Sequence, residues 1–467
     1  MTELRAMERK KFRMLSGGSF LIVFVIAIIT MIIAIGALRI HPFLAIMATA
    51  LILALLCLKL DQVVDTIATG FSSAFATIGL VVILGSLIGL ILEHTGAALK
   101  MSEVVVKALG TSRPDAALAV MGWLTSISIF CDSGFVILNP VRKAIVKRVK
   151  VSSASTSVAL ATGLFISHCL IPPTPGPLAA AGVLGMENNL LPIMFFGVIV
   201  SIPALIVACV FASFIGKRVK DQTELLEAGQ KDIASAQTYD ELLASYGKTP
   251  GAFASFLPIL LPLLLIGASS FCTMNHIQAP TVEFLGKPII ALFVGLLASL
   301  ELLFSTKKTK ELYSLTSNAL TIAGPILFIT GAGCALGKVV GASPLIPFLT
   351  EHSNALSAMG LFFPFVFASI LKTAQGSSTV SISTTAAVVA PMLAPLGLDS
   401  PALTALTVIA IGAGAMTVSH VNDSYFWVVS KFGEFTKTID VYKTLTLSTL
   451  LVGVTSILTA FVVSLFL

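Results

Sequence analysis

Six long apolar runs set the first constraint on this chain. Phe20 to Leu38, Pro42 to Leu58, Phe71 to Leu92, Leu191 to Ile215, Phe253 to Phe271 and Ile289 to Phe304 carry almost no charge. Roughly 17 to 25 such residues let a helix cross the hydrocarbon core of a bilayer. Where water is absent the backbone must satisfy itself, and runs of this length and apolarity do so as helices. The expected class is an all-α polytopic membrane protein. Composition agrees, with 11% of the 467 residues charged against about 25% in soluble domains. No small-residue cleavage site follows the first run, so that run is expected to be retained.

The net charge of +6 sits in short clusters between apolar spans, which points to positive-inside bias rather than to nucleic acid. Cys57, Cys131, Cys169, Cys209, Cys272 and Cys334 are scattered without a C-x-x-C pair, so neither a disulfide framework nor a metal site is expected. Gly337-Lys338 lacks the rest of a phosphate loop, and no nucleophile stands beside a base, so no enzyme is expected. Gly85 and Gly89 form a GxxxG that speaks only to helix packing.

One long polar stretch divides the chain. The reading is a basic N-terminal segment (1–18), a first transmembrane repeat (19–216), a cytoplasmic polar linker (217–251) and a second repeat (252–467). Each half has apolar spans, a long run interrupted by a polar cluster, a second interrupted run and a final span. The interrupted runs are expected to be a re-entrant hairpin near 117–141 and a broken helix near 152–183, then a hairpin near 355–395 and a broken helix near 400–433. Gly376 lies 243 residues after Ser133, His420 252 after His168 and Pro288 246 after Pro42. Such constancy argues for an internal repeat, common among secondary transporters. Basic clusters at Arg142 to Lys150, Lys217 to Lys220, Lys307 to Lys310 and Lys431 to Lys437, if all cytoplasmic, make the two repeats inverted. The first hairpin then enters from the cytoplasm and the second from outside. Parity places the N-terminus outside, whereas Arg5, Arg9, Lys10, Lys11 and Arg13 argue for the cytoplasm. Either a further crossing lies between Glu93 and Ala116, or the N-terminal segment is an exception.

Four polar clusters interrupt these runs. Asp132 is the only charge from Ala116 to Val141, and a charge at the bilayer centre costs roughly 2.5 to 3.5 kcal/mol on insertion scales. A turn at Ser133-Gly134 would make this run a hairpin, with Asp132 either capping the second arm or carrying a proton. PPTPGP (Pro172 to Pro177) must break its helix, leaving Thr174 in the break and His168 about one turn before it. QGSSTV offers Gly376 for a turn and Ser377, Ser378 and Thr379 as hydroxyls, unless their small size serves packing. Lys372 either attracts a carboxylate or snorkels to the interface. HVNDSYFW places His420, Asn422 and Asp423 within another apolar run. Asp132, His168, His420 and Asp423 are the proton-coupling candidates. Ser133, Gly134, Thr174, Lys372, Gly376, Ser377, Ser378, Thr379 and Asn422 are the substrate candidates. Tyr425 and Trp427 are read as packing or interfacial residues.

Together GFVIL (Gly134 to Leu138), PPTPGP, GSSTV, and SHVND followed by FW (Ser419 to Asp423, Phe426-Trp427) resemble the gluconate permease family, the gluconate:proton symporters. The resemblance covers most of the chain after Leu38. It implies uptake of a small hydroxy-carboxylate across a bacterial inner membrane, coupled to protons and without a cofactor. It also implies inverted repeats with two hairpins, an elevator-type motion and a homodimer. The family carries glutamate where this chain has Asp132, histidine where it has Thr174 and arginine where it has Lys372. These departures leave glycerate, a four-carbon sugar acid or D-serine beside gluconate as substrates. Sodium coupling and a passive anion channel are the alternative mechanisms, and a membrane receptor a weaker one.

Overall fold

The computed structural model describes residues 17–101, 104, 113–127, 129–149, 151–215, 249–274, 277–351, 357–421, 423–435 and 437–467. Most of the basic 1–18 segment, most of the 217–251 linker, and residues 102–103 and 105–112 of the Glu93 to Ala116 stretch in which an extra crossing was expected lie outside them. Among the described residues every regular element is helical. The first half runs α1 (Gly17–Gly36), α2 (Pro42–Cys57), α3 (Leu60–His94), the pair α4 (Pro114–Thr125) and α5 (Cys131–Val149), the pair α6 (Ser153–Leu170) and α7 (Pro175–Val183), and α8 (Leu191–Ile215). The second runs α9 (Ala252–Met274), α10 (Pro280–Leu285), α11 (Pro288–Ser305), α12 (Leu312–Gly341) and α13 (Leu345–Glu351). It continues with the pair α14 (Phe362–Gln375) and α15 (Ser378–Val389), the pair α16 (Pro401–Met416) and α17 (Ser424–Phe432), α18 (Thr438–Val441) and α19 (Leu447–Ser464).

Prolines open α2, α4, α7, α11 and α16, where a missing N–H costs nothing and φ is already helical. Among the described residues six helical stretches are long and apolar enough to cross a membrane, seven if the two segments of α3, bent by 41°, count as one more. By contrast α4, α14 and α15 have 12, 14 and 12 residues. At 1.5 Å per residue they cover only about 18 to 21 Å, short of a hydrocarbon core of about 30 Å.

Burial sorts the helices into layers. Every residue of α6 is buried, as is α16 from Thr404 to Met416. Ile22, Ile26, Ile29 and Ile33 of α1, Ile202, Ile206 and Val210 of α8, and Leu458 and Val462 of α19 are instead exposed, an apolar shell suited to lipid. The inner helices approach closely through glycine, as expected where small residues replace a hydrophobic driving force. A Cβ on Gly163 of α6 would lie 2.0 Å from the Ala119 carbonyl oxygen of α4. One on Gly414 of α16 would lie 2.2 Å from that of Phe365 in α14. These contacts recur in the two halves, Gly414 following Gly163 by 251 residues and Phe365 following Ala119 by 246. The long α3 and α12 cross antiparallel, with Gly70 against Ala335 and, at the other end, Lys308 Nζ donating to the His94 carbonyl over 2.8 Å.

One expectation is corrected. The first pair does not turn at Ser133-Gly134, because α4 ends at Thr125 and α5 has already begun at Cys131. The non-helical stretch lies between them, closed in part by Ser126 Oγ donating to the Ile129 carbonyl over 2.9 Å. Gly134 sits within α5 under Leu164, whose Cδ2 would be 2.7 Å from a Cβ there; it is a packing glycine. Ser378, which opens α15, follows Cys131, which opens α5, by 247 residues, nearer the other two offsets than the expected 243.

Candidate substrate site

The second break builds the most polar part of the interior. Helix α16 ends at Met416, and Asp423 caps α17 by accepting the Tyr425 N–H on Oδ1 at 3.1 Å. Its other oxygen, Oδ2, accepts Ser419 Oγ at 2.5 Å and Lys372 Nζ at 2.7 Å. Lys372 has no exposed surface, so it does not snorkel. It also donates to the carbonyl of Gly376, the left-handed residue (φ 85°) that ends α14. Its ammonium lies 5.3 Å from the centroid of the Phe165 ring on α6. One cation thus ties the tip of the second pair, the second break and the first broken helix together.

Asp132 faces this arrangement from the first turn of α5. Its Oδ2 accepts Ser424 Oγ at a long 3.5 Å, while Oδ1 is buried without a partner among the described residues. Asp132 stands inside the first turn of α5 and not at the position before the helix that a capping residue occupies. A buried carboxylate oxygen left open can take a proton, a hydroxyl or a cation. His168 is buried with Nδ1 unpartnered, its ring nearly parallel to Phe165 with centroids 6.4 Å apart. Thr174 is buried in the first break and donates to the Ile171 carbonyl over 2.6 Å. The N-terminus of α7 meets that of α15, where a Cβ on Gly176 would lie 3.7 Å from Thr379 Cα. Asp132 and Ser424 bring the starts of α5 and α17 together in the same way. Helix N-termini paired at membrane depth favour an anion.

The remaining candidates sit at different depths. Ser377 caps α15 through Val380 N at 3.3 Å and is exposed, whereas Ser378 and Thr379 are buried. Ser133 is half-buried, and its side chain is hydrogen-bonded to Glu93 of α3. His420 lies at the rim, its Nε2 3.1 Å from the Thr373 carbonyl oxygen, away from the Lys372–Asp423 pair. Asn422 lies outside the described residues. Sequence reasoning missed Ser419, Phe165 and Gln375, whose side-chain amide is buried without partners; only the interruption of the apolar run by polar residues marks Ser419 and Gln375. Tyr425 is core and not interfacial, its hydroxyl donating to the Ala161 carbonyl over 2.8 Å.

Buried charge on short facing helices inside an apolar shell defines a polytopic membrane transporter. The fold agrees with that of the YdaH transporter of Alcanivorax borkumensis, with a TM-score of 0.65 at 14% identity, covering 91% of this chain and 99% of that one. The chain belongs to the GntP family of permeases, whose profile matches residues 19–466. It is 33% identical to a permease of Haemophilus influenzae over 87% of this chain and 84% of the relative. It is 30% identical to the inner membrane permease YgbN of Escherichia coli (90% and 93%). With the gluconate permease of Bacillus licheniformis the identity is 26% (88% and 92%). Further relatives are named for L-idonate and D-serine transport. The chain is therefore a multi-pass permease of the inner membrane, and not an enzyme.

Proposed function

We propose that this permease imports a small hydroxy-monocarboxylate, gluconate or a shorter sugar acid, by proton symport. The observation that carries the reading is the buried Lys372–Asp423 pair, with Nζ 2.7 Å from Oδ2. An ammonium at this depth needs one anion, and a substrate carboxylate can replace Asp423 only if Asp423 loses its charge. A proton on Asp423 does that, so substrate and proton enter together and the site keeps its net charge. The open Oδ1 of Asp132 then accepts a substrate hydroxyl, with Ser378, Thr379 and Asn422 at the second tip and break. Lysine and aspartate in place of the family's longer arginine and glutamate change reach and geometry.

The matching order and packing of the two halves support inverted repeats, and the short α4, α14 and α15 support re-entrant hairpins. In this reading the paired helices move past α3 and α12 as an elevator, in a homodimer that needs no cofactor. Uptake into proteoliposomes under an imposed pH gradient, then a sodium gradient, across a panel of sugar acids and D-serine tests it. Accumulation driven by the pH gradient is expected, and uptake indifferent to both gradients would sink the symport reading.

A further inference from the structure

Beside the second tip lies a cavity of about 790 Å³ that none of the roles above uses. One wall is the α1–α2 turn with Arg39 and His41; the other is Thr373, Gln375, His420 and Val421. Among the described residues its lining holds one guanidinium, two imidazoles and no carboxylate. Arg39 is exposed, has no hydrogen-bond or ion-pair partner among the described residues and adopts a left-handed backbone (φ 55°), a conformation uncommon for a non-glycine residue. Gln375 also lines the cavity, but both polar atoms of its amide are closed off from solvent and so do not face the opening. The imidazoles of His41 and His420 supply the other polar edges of the cavity beside Arg39.

We infer that this cavity is a second, outer anion-binding site, in which Arg39 captures the carboxylate, with His41 and His420 beside it, before transfer to Lys372. The identity of the anion rests on the transport reading above; the site itself does not. Steering of this kind raises the rate of encounter and weakens with salt. The tip of the second pair separates the two positions, since Lys372 donates to Gly376 on one side while Gln375 lines the cavity on the other.

A built-in reporter permits a direct test. Trp427 Nε1 donates to the carbonyl of Val421, a cavity residue, over 2.8 Å, and the chain has only one other tryptophan to remove, Trp123. Full-length W123F in detergent is titrated with sodium gluconate and with inorganic sulfate while Trp427 fluorescence is followed, with and without K372M. K372M is expected to keep a saturable response to both anions. Adding R39Q weakens it about five-fold and flattens its fall between about 20 and about 300 mM salt, while R39K preserves it. Loss of the whole response in K372M, or a response untouched by R39Q, overturns the second site. If proteoliposomes accumulate no sugar acid yet Arg39-dependent sulfate binding persists, the transport reading fails and the second site stands. If they do accumulate one and R39Q leaves KM and salt dependence unchanged, the second site alone falls.

Discussion

A lysine with no exposed surface survives in an apolar interior only because every direction around its ammonium is answered. Asp423, the Gly376 carbonyl and the Phe165 ring do that for Lys372. Removing one partner of a buried pair leaves the other uncompensated, at a cost of about 3 to 5 kcal/mol. K372M is expected to abolish uptake of sugar acids into proteoliposomes; uptake at the wild-type rate would remove Lys372 from the transport site. D423N imitates the protonated carboxyl. It should retain substrate exchange across a loaded vesicle but lose accumulation driven by a pH gradient, and a variant that still accumulates would exclude Asp423 as the carrier. Both charges are legible in sequence because they interrupt apolar runs. Their pairing is not, since 51 residues and a change of element separate them.

At the scale of elements, the first pair is bound differently from the second. Arg142 of α5 is fully buried, and its Nη2 lies 3.2 Å from Glu434 Oε2, while Lys143 Nζ lies 2.9 Å from Oε1. Ser153 Oγ, at the start of α6, donates to the same Glu434 oxygen over 2.6 Å. This cluster joins α5 and α6 to the turn after α17. Burial alone would raise the Glu434 carboxyl, but Arg142, Ser153 and Lys143 together outweigh it and hold it below the ordinary carboxylate range. A depressed carboxyl stabilises the fold above its unfolded pKa, and that contribution is lost as pH falls through the folded value. Thermal stability should therefore hold from neutral pH to the ordinary carboxylate range and fall below it. E434Q should be less stable at neutral pH and show a smaller acid loss; an acid limb identical to wild type would place the sensitivity elsewhere. Glycine contacts set the other limit at this scale. G414A puts a methyl 2.2 Å from the Phe365 carbonyl oxygen, and overpacking of this kind costs about 1 to 3 kcal/mol. A lowered Tm is expected, and an unchanged one would show that α14 and α16 can separate freely.

For the whole molecule, the decisive surface is where α15 meets α12. Gly333 and Gly337 bring the α12 backbone against Ala387, with the Cβ position of residue 333 only 3.1 Å from Ala387 Cβ. Cysteines at these two positions are near the Cβ separation of about 3.8 Å that a disulfide takes. In a chain otherwise cleared of its six cysteines, oxidising G333C/A387C should arrest uptake while leaving ligand binding intact. Normal uptake by the cross-linked protein would rule out sliding of the paired helices along α12.

Long apolar runs settle the class, because hydrocarbon leaves the backbone no choice but helix, and prolines and charges within them mark both breaks and the second tip. The first tip was misplaced by a few residues, since Ser133-Gly134 reads as a turn only until Leu164 is packed over Gly134. Which carboxylate takes the lysine, which keeps an open oxygen, and which cations gather in an outer cavity follow from how the helices cross. Those outcomes are decided by contacts between residues far apart in the chain, and local pattern carries no information about them.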